Sequence, residues 1–261
     1  MTATILRHEF TRTIRPILVI LGLAVLVMLL GDLLGLFFGI LGVVFAGLVV
    51  TLMLPVTQFF LAIDFYRSSY GQGARLTHSL PVTGWRLFWT KTLYALLMSA
   101  LVGLLSLLLL FAHIIFGLNL VGVDLADAYA DVQLFFYYVP GAWPAIILGM
   151  AMALFVPIFS MFPSVVIGSG GWARRLGFGG PVIVFVAYYL TTQVLGAASF
   201  FIPPVYDFVT ADVQMVSLWH NVTNNVDEPV MPLSAVVIQL IVLAILTVWA
   251  SRDMHSKVEL R

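Results

Sequence analysis

Long apolar runs broken by glycine, proline or charge fill residues 17–35, 37–63, 85–116, 140–167, 178–202 and 233–250. Each is close to the about 20 residues that a helix needs to cross a bilayer. The pattern therefore predicts an all-α integral membrane protein with six transmembrane helices, organised as a single transmembrane domain over residues 1–261. Gly31, Asp32 and Gly35 mark a tight bend between the first two helices, because glycine and aspartate suit turns. Ahead of the first run, Leu6, Phe10, Ile14 and Ile17 recur at helical spacing with Arg7, Thr11 and Arg15 on another face. Residues 3–16 thus read as an N-terminal amphipathic helix lying in the interface. Asp124, Asp127 and Asp131 share one helical face opposite Leu125, Tyr129, Val132 and Phe136, which predicts a second surface helix. A cation site on those carboxylates is conceivable, but a wetted helix face is the commoner use of such a stripe.

Composition agrees with the pattern: 62% of the chain is apolar and only 9% charged, against the roughly 45–50% apolar usual for soluble domains. With 12 cations against 12 anions, no basic excess points to nucleic acid. The placement of the charges says more than their sum. Six spans put both termini on one side, and every cation borders that side. Arg7, Arg12 and Arg15 precede the first span, and Arg67, Arg75, Arg86 and Lys91 lie in or beside the second-to-third loop. Arg174 and Arg175 occupy the fourth-to-fifth loop, and Arg252, Lys257 and Arg261 form the tail. The opposite side collects Asp32, Asp124, Asp127, Asp131, Asp207, Asp212, Asp227 and Glu228. The positive-inside rule then places both termini in the cytoplasm, in the plasma (inner) membrane of a bacterium. The basic N-terminus reads as an uncleaved anchor, because no small-residue cleavage pattern closes a short apolar run.

Chemistry-bearing motifs are sparse. A P-loop needs Gly-Lys-Ser/Thr, but Lys91 follows Thr90 and Lys257 follows Ser256. His8, His78, His113, His220 and His255 supply no metal-binding His-Glu-x-x-His, and cysteine is absent. No catalytic residue, cofactor or metal is therefore expected on this chain. Ser169, in Gly168-Ser-Gly-Gly171, reads as part of a tight turn, and His113 as a satisfied structural histidine. Asn221-Val-Thr223 matches a glycosylation acceptor, relevant only to a eukaryotic secretory protein. Uncharged polar groups recur at depth: Thr51, Thr57 and Gln58 in the second span, Tyr188, Tyr189, Thr191, Thr192 and Gln193 in the fifth, and Gln239 in the sixth. Interhelical hydrogen bonding is one role for them.

The second-to-third loop is punctuated by Gly71, Gly73 and Pro81, leaving a short helix over residues 74–79 before Thr83 caps the next span. Ser79-Leu-Pro-Val-Thr83, followed by Leu87 and Lys91, resembles the cytoplasmic loop of type-2 ABC exporter permeases, whose six-span layout with both termini inside also matches. Gly84 and Thr90 stand where that family often has Arg and Gly. The resemblance implies that residues 3–16 are a connecting helix and that 74–79 is a coupling helix seated on an ATPase, with Arg75, Leu76, Thr77, His78 and Ser79 in contact. It implies an outer re-entrant cap between spans five and six. A substrate pathway would run between spans two and five, lined from Thr51, Met53, Gln58, Phe59, Tyr189, Thr192 and Gln193. It implies ATP and Mg on a partner ABC ATPase subunit, a second permease copy or related chain, and export of an amphipathic or hydrophobic substrate such as a peptide, drug or lipid. The alternative is a non-transporting membrane scaffold or binding subunit of a larger complex.

Overall fold

The computed structural model describes residues 2–71, 83–224 and 228–259. Among them, six helices are long and apolar enough to cross a membrane: α1 (Thr2–Phe38), α2 (Ile40–Ser69), α3 (Gly84–Leu120), α5 (Ala142–Gly168), α6 (Gly179–Ser199) and α8 (Leu233–Glu259). The protein is a multi-pass membrane protein of the expected span number. Between α3 and α5 lies the shorter α4 (Leu125–Tyr138), which has no buried residue. The chain divides into two compact units, residues 1–130 with the last four residues, and residues 131–257.

The first unit is built on α1, α2 and α3. At about 1.5 Å per residue, the 37 residues of α1 make a rod of about 55 Å, against about 30 Å of hydrocarbon. Residues 3–16 are the first turns of this one continuous helix and not a helix of their own, and Pro16 is accommodated within it. Its buried stripe is also one residue away from the expected one: Ile5, Glu9, Thr13 and Ile17 are buried, whereas Phe10 is 46% exposed. Two polar residues displace an apolar one from the packed face because both find partners on α3, Glu9 in Lys91 and Thr13 in Tyr94.

The bend between α1 and α2 falls at Gly39, whose φ of 62° is a left-handed value, and not at Gly31, Asp32 and Gly35, which all lie within α1. Gly31 and Gly35 serve packing instead. They meet Gly42 and Ala46 across the hairpin so closely that a Cβ on Gly42 would stand 2.3 Å from Gly35 N. In a membrane, where helices gain little from apolar burial against each other, such small-residue seams let backbones approach and dispersion accumulate.

In the second unit, α5 and α6 are joined by a 3₁₀ turn, Gly171–Leu176. They touch backbone to backbone, since a Cβ on Gly180 would lie 2.0 Å from Gly168 O. The segment between α6 and α8 departs from the all-helical expectation. It forms a three-stranded antiparallel sheet of β1 (Val205–Asp207), β2 (Val213–Gln214) and β3 (Val230–Pro232), in the order β2-β1-β3, with a short helix α7 (Leu218–Thr223). Tyr206 pairs with Val213 on one side and with Met231 on the other. Asp207 fastens the β1–β2 connection: Oδ1 accepts from the Val209 amide at 2.8 Å, and Oδ2 from Thr210 Oγ1 and Gln214 Nε2 at 2.8 Å each. Burial opposes ionisation of this carboxyl, but the hydrogen bonds from Thr210, Val209 and Gln214 outweigh it and hold Asp207 below the usual aspartate value. Ser234 Oγ, at the start of α8, joins that helix to the end of α6 through Ser199 O at 3.0 Å and Ile202 O at 2.9 Å. Asn221 is buried in α7, so the glycosylation match is not presented at the surface.

The glycine seam gives a direct test. Gly42→Ala should lower the unfolding free energy by about 1–3 kcal/mol, the usual cost of overpacking, in a reversible denaturant titration of the protein in detergent micelles. An unchanged midpoint would show that the hairpin does not depend on backbone contact.

Candidate functional site

At the end of the first unit that holds the N-terminus, three helices each contribute polar side chains one turn apart. They are Glu9 and Thr13 from α1, Asp64 and Ser68 from α2, and Lys91 and Tyr94 from α3. Helical spacing of three or four puts each pair on one face, and the three faces converge. Arg12 bridges Glu9 and Asp64, joining α1 to α2. Lys91 Nζ donates to Ser68 Oγ at 2.7 Å and to Ser69 Oγ at 3.0 Å, and lies 3.5 Å from Glu9 Oε1. Its charge also sits 5.5 Å from the centroid of the Phe65 ring, within cation–π range. One turn deeper, Thr13 Oγ1 and the Tyr94 hydroxyl hydrogen-bond to each other.

The side chains of Lys91 and Glu9 are only 3% and 6% exposed, which separates this cluster from ordinary surface charge. By contrast Arg7, Arg15, Arg67, Arg86, Arg175 and Arg252 are exposed, as expected of headgroup-facing cations. Two anions and two cations make the cluster formally neutral. Such a group costs several kcal/mol per ion in desolvation, and removing one member leaves its partner uncompensated. Its position is as informative as its energy. Asp64, Ser68 and Ser69 close α2, and Lys91 lies in the opening turns of α3, so the cluster holds both flanks of residues 72–82 and fastens them to α1. Phe65, Phe88 and Trp89 pack around it, with Phe88 edge-on to Phe65 at 6.4 Å and to Trp89 at 5.5 Å.

Arg75, Leu76, Thr77, His78 and Ser79 lie outside the described residues. Thr51, Met53, Gln58 and Phe59 belong to the first unit, and Tyr189, Thr192 and Gln193 to the second. Met53 and Gln58 are each 1% exposed, whereas Phe59 and Tyr189 are 54% and 52% exposed. Thr51 and Gln193 are exposed and Thr192 half-buried. Thr51, Thr57, Thr191 and Thr192 bond carbonyls of their own helices, at Gly47, Met53, Ala187 and Tyr189, rather than a neighbouring helix. A threonine hydroxyl finds the preceding turn's carbonyl without help from a partner. The interhelical role holds for Tyr188 and Gln239, which hydrogen-bond between α6 and α8.

His113 is satisfied by a partner that the sequence did not pair with it: its Nδ1 lies 2.8 Å from Asp32 Oδ1, joining α3 to α1. Ser169 Oγ is buried with no hydrogen-bond partner among the described residues. No group of three or more His, Cys, Asp or Glu that could hold a metal occurs among them. Compared with known proteins, the chain matches no family model, no curated protein and no solved structure.

The cluster's energetics are testable. Lys91→Met should destabilise the protein by about 3 kcal/mol, the scale for stranding a buried charge. The double variant Glu9→Gln with Lys91→Met should recover part of that loss in the same micellar unfolding titration. Additive losses would contradict an interacting pair.

Proposed function

We propose that this chain is the permease subunit of an ATP-binding-cassette exporter in the plasma membrane. It moves an amphipathic or hydrophobic substrate, such as a peptide, drug or lipid, by means of ATP and Mg held on a separate ATPase subunit. Both termini and residues 72–82 face the cytoplasm, in keeping with the one-sided distribution of arginine and lysine. Arg75, Leu76, Thr77, His78 and Ser79 contact the ATPase, and two permeases enclose a pathway bordered by α2 and α6. The segment containing β1, β2, β3 and α7 forms the outer cap. The chain performs no covalent chemistry; it couples motor to substrate by having two conformations with different substrate affinity.

The observation that carries this reading is the burial of Lys91. The resembled motif runs from Ser79 to Lys91, and its terminal lysine is the central member of an ion cluster that fastens both flanks of residues 72–82 to α1. A merely solvated loop does not require its flanking lysine to be buried at the cost of desolvation. A displacement of 72–82 would pass through α2 and α3 together into α1, and from there along a rod that continues across the membrane. Exposed apolar side chains on the spans accord with lipid or a second permease as neighbours: in α6 only 6% of the most apolar window is buried within the chain.

The absence of cysteine makes the test clean. A bifunctional thiol reagent acting on Leu76→Cys in intact cells should capture a protein that photolabels with azido-ATP, and adding Arg75→Glu and His78→Glu should abolish the capture. An inserted Leu76→Cys chain that crosslinks only to non-nucleotide proteins would contradict the exporter reading and favour a scaffold subunit.

A further inference from the structure

The Asp32–His113 pair is unused by the reading above, and it lies at the opposite end of the first unit from the ion cluster. Ionisable side chains within spans are costly enough to mark function by default. The pair lines a groove of about 390 Å³ between α1 and α3 whose other walls are apolar, among them Met28, Leu33, Leu36 and Phe116. Asp32 Oδ1 is engaged by His113 Nδ1 at 2.8 Å, but Oδ2 accepts no hydrogen bond from the described residues. The Asp32 side chain is 13% exposed and that of His113 only 5%. The imidazole is seated against α2, where the missing side chain of Gly47 makes room: a Cβ there would stand 3.1 Å from His113 Nε2. The site therefore has a rigidly backed imidazole, a carboxylate with one oxygen to spare, and an apolar trough leading away from it.

We infer that this groove is a binding site for an amphiphilic cation, a protonated amine with an apolar body. Asp32 is the counter-ion and His113 the residue that positions it. In the tautomer whose neutral imidazole donates Nδ1–H to Oδ1, the pair carries one negative charge in apolar surroundings. A neutral lipid chain would fill the trough but leave that charge uncompensated, and an anion would be repelled. An ammonium supplies a charge-assisted hydrogen bond to Oδ2 while its apolar part covers Leu33, Leu36 and Phe116. The inference does not rest on the exporter reading, because the groove lies wholly within α1 and α3.

The test uses the full chain in nanodiscs of phosphatidylcholine with no ATPase present, reading the fluorescence anisotropy of the cationic dye rhodamine 6G. The wild type should bind the dye saturably, and dodecylammonium should displace it where dodecanol does not. Asp32→Asn keeps the shape and a hydrogen bond to His113 but removes the charge; it should weaken binding at least about tenfold, the factor expected for a lost charge-assisted hydrogen bond. Leu33→Trp, at a residue 52% exposed and so tolerant of bulk, should weaken it by filling the trough. Unsaturable dye uptake by the wild type, undiminished affinity in either variant, or displacement by dodecanol as effective as by dodecylammonium would overturn the proposal.

Discussion

An ammonium group cut off from water is tolerable only where other groups replace its hydration, and Lys91 is the place where this protein meets that requirement. Two serine hydroxyls, the Glu9 carboxylate and the face of Phe65 surround its Nζ. Arg12 in turn compensates the two acids. Because Glu9 and Lys91 are buried and depend on the cluster for their stabilisation, the arrangement tolerates little slippage: sliding α1 by one turn would strand both buried charges. Apolar helix faces in a membrane impose no comparable register, since lipid is as good a neighbour as leucine. The cluster is thus what fixes α1, α2 and α3 against one another, and it does so at the flanks of residues 72–82.

The remainder of the first unit follows from that constraint. With one end held by charge, the hairpin closes at the other through Gly39 and the seam of Gly31, Gly35, Gly42 and Ala46, where no side chain separates the backbones. Near the same end α1 and α3 leave between them the groove that Asp32 and His113 line. Two polar sites at opposite ends of one three-helix body therefore have different characters. The first is internally neutral and closed, suited to holding helices together. The second keeps a carboxylate oxygen unengaged among the described residues, which is what the proposed cation would use.

The six spans were legible because about 20 apolar residues leave few alternatives in sequence. The predicted run 85–116 lies within Gly84–Leu120, and 178–202 overlaps Gly179–Ser199 within a few residues. What escaped were pairings between distant positions. In the sequence Arg12 reads only as a positive-inside charge and Lys91 as such a charge and as the end of the Ser79–Lys91 motif, with nothing to pair either with Glu9 and Asp64, acids on the cationic side. Their presence there was the available signal, together with Glu9 standing three residues before Arg12. The stripe of α1 was misplaced by one residue because a hydropathy pattern cannot know that Glu9 and Thr13 will be satisfied by α3. The sheet of residues 205–232 escaped for another reason: strands of two or three residues are too short for alternation to register.

If the cluster makes the charged end of the first unit one rigid body, α1 and α3 keep their spacing there whatever moves the flanks of residues 72–82. Spin labels at Phe10→Cys on α1 and Leu93→Cys on α3, both about half exposed, report on it through their distance distribution. The measurement is made on the chain together with the ATPase proposed as its partner, with and without ATP. The account predicts a single narrow distribution unchanged by nucleotide in the otherwise native chain, and a broadened, nucleotide-sensitive one when Lys91→Met is added. A distance that shifts with ATP while Lys91 is intact, or one that stays equally narrow without it, would contradict the account.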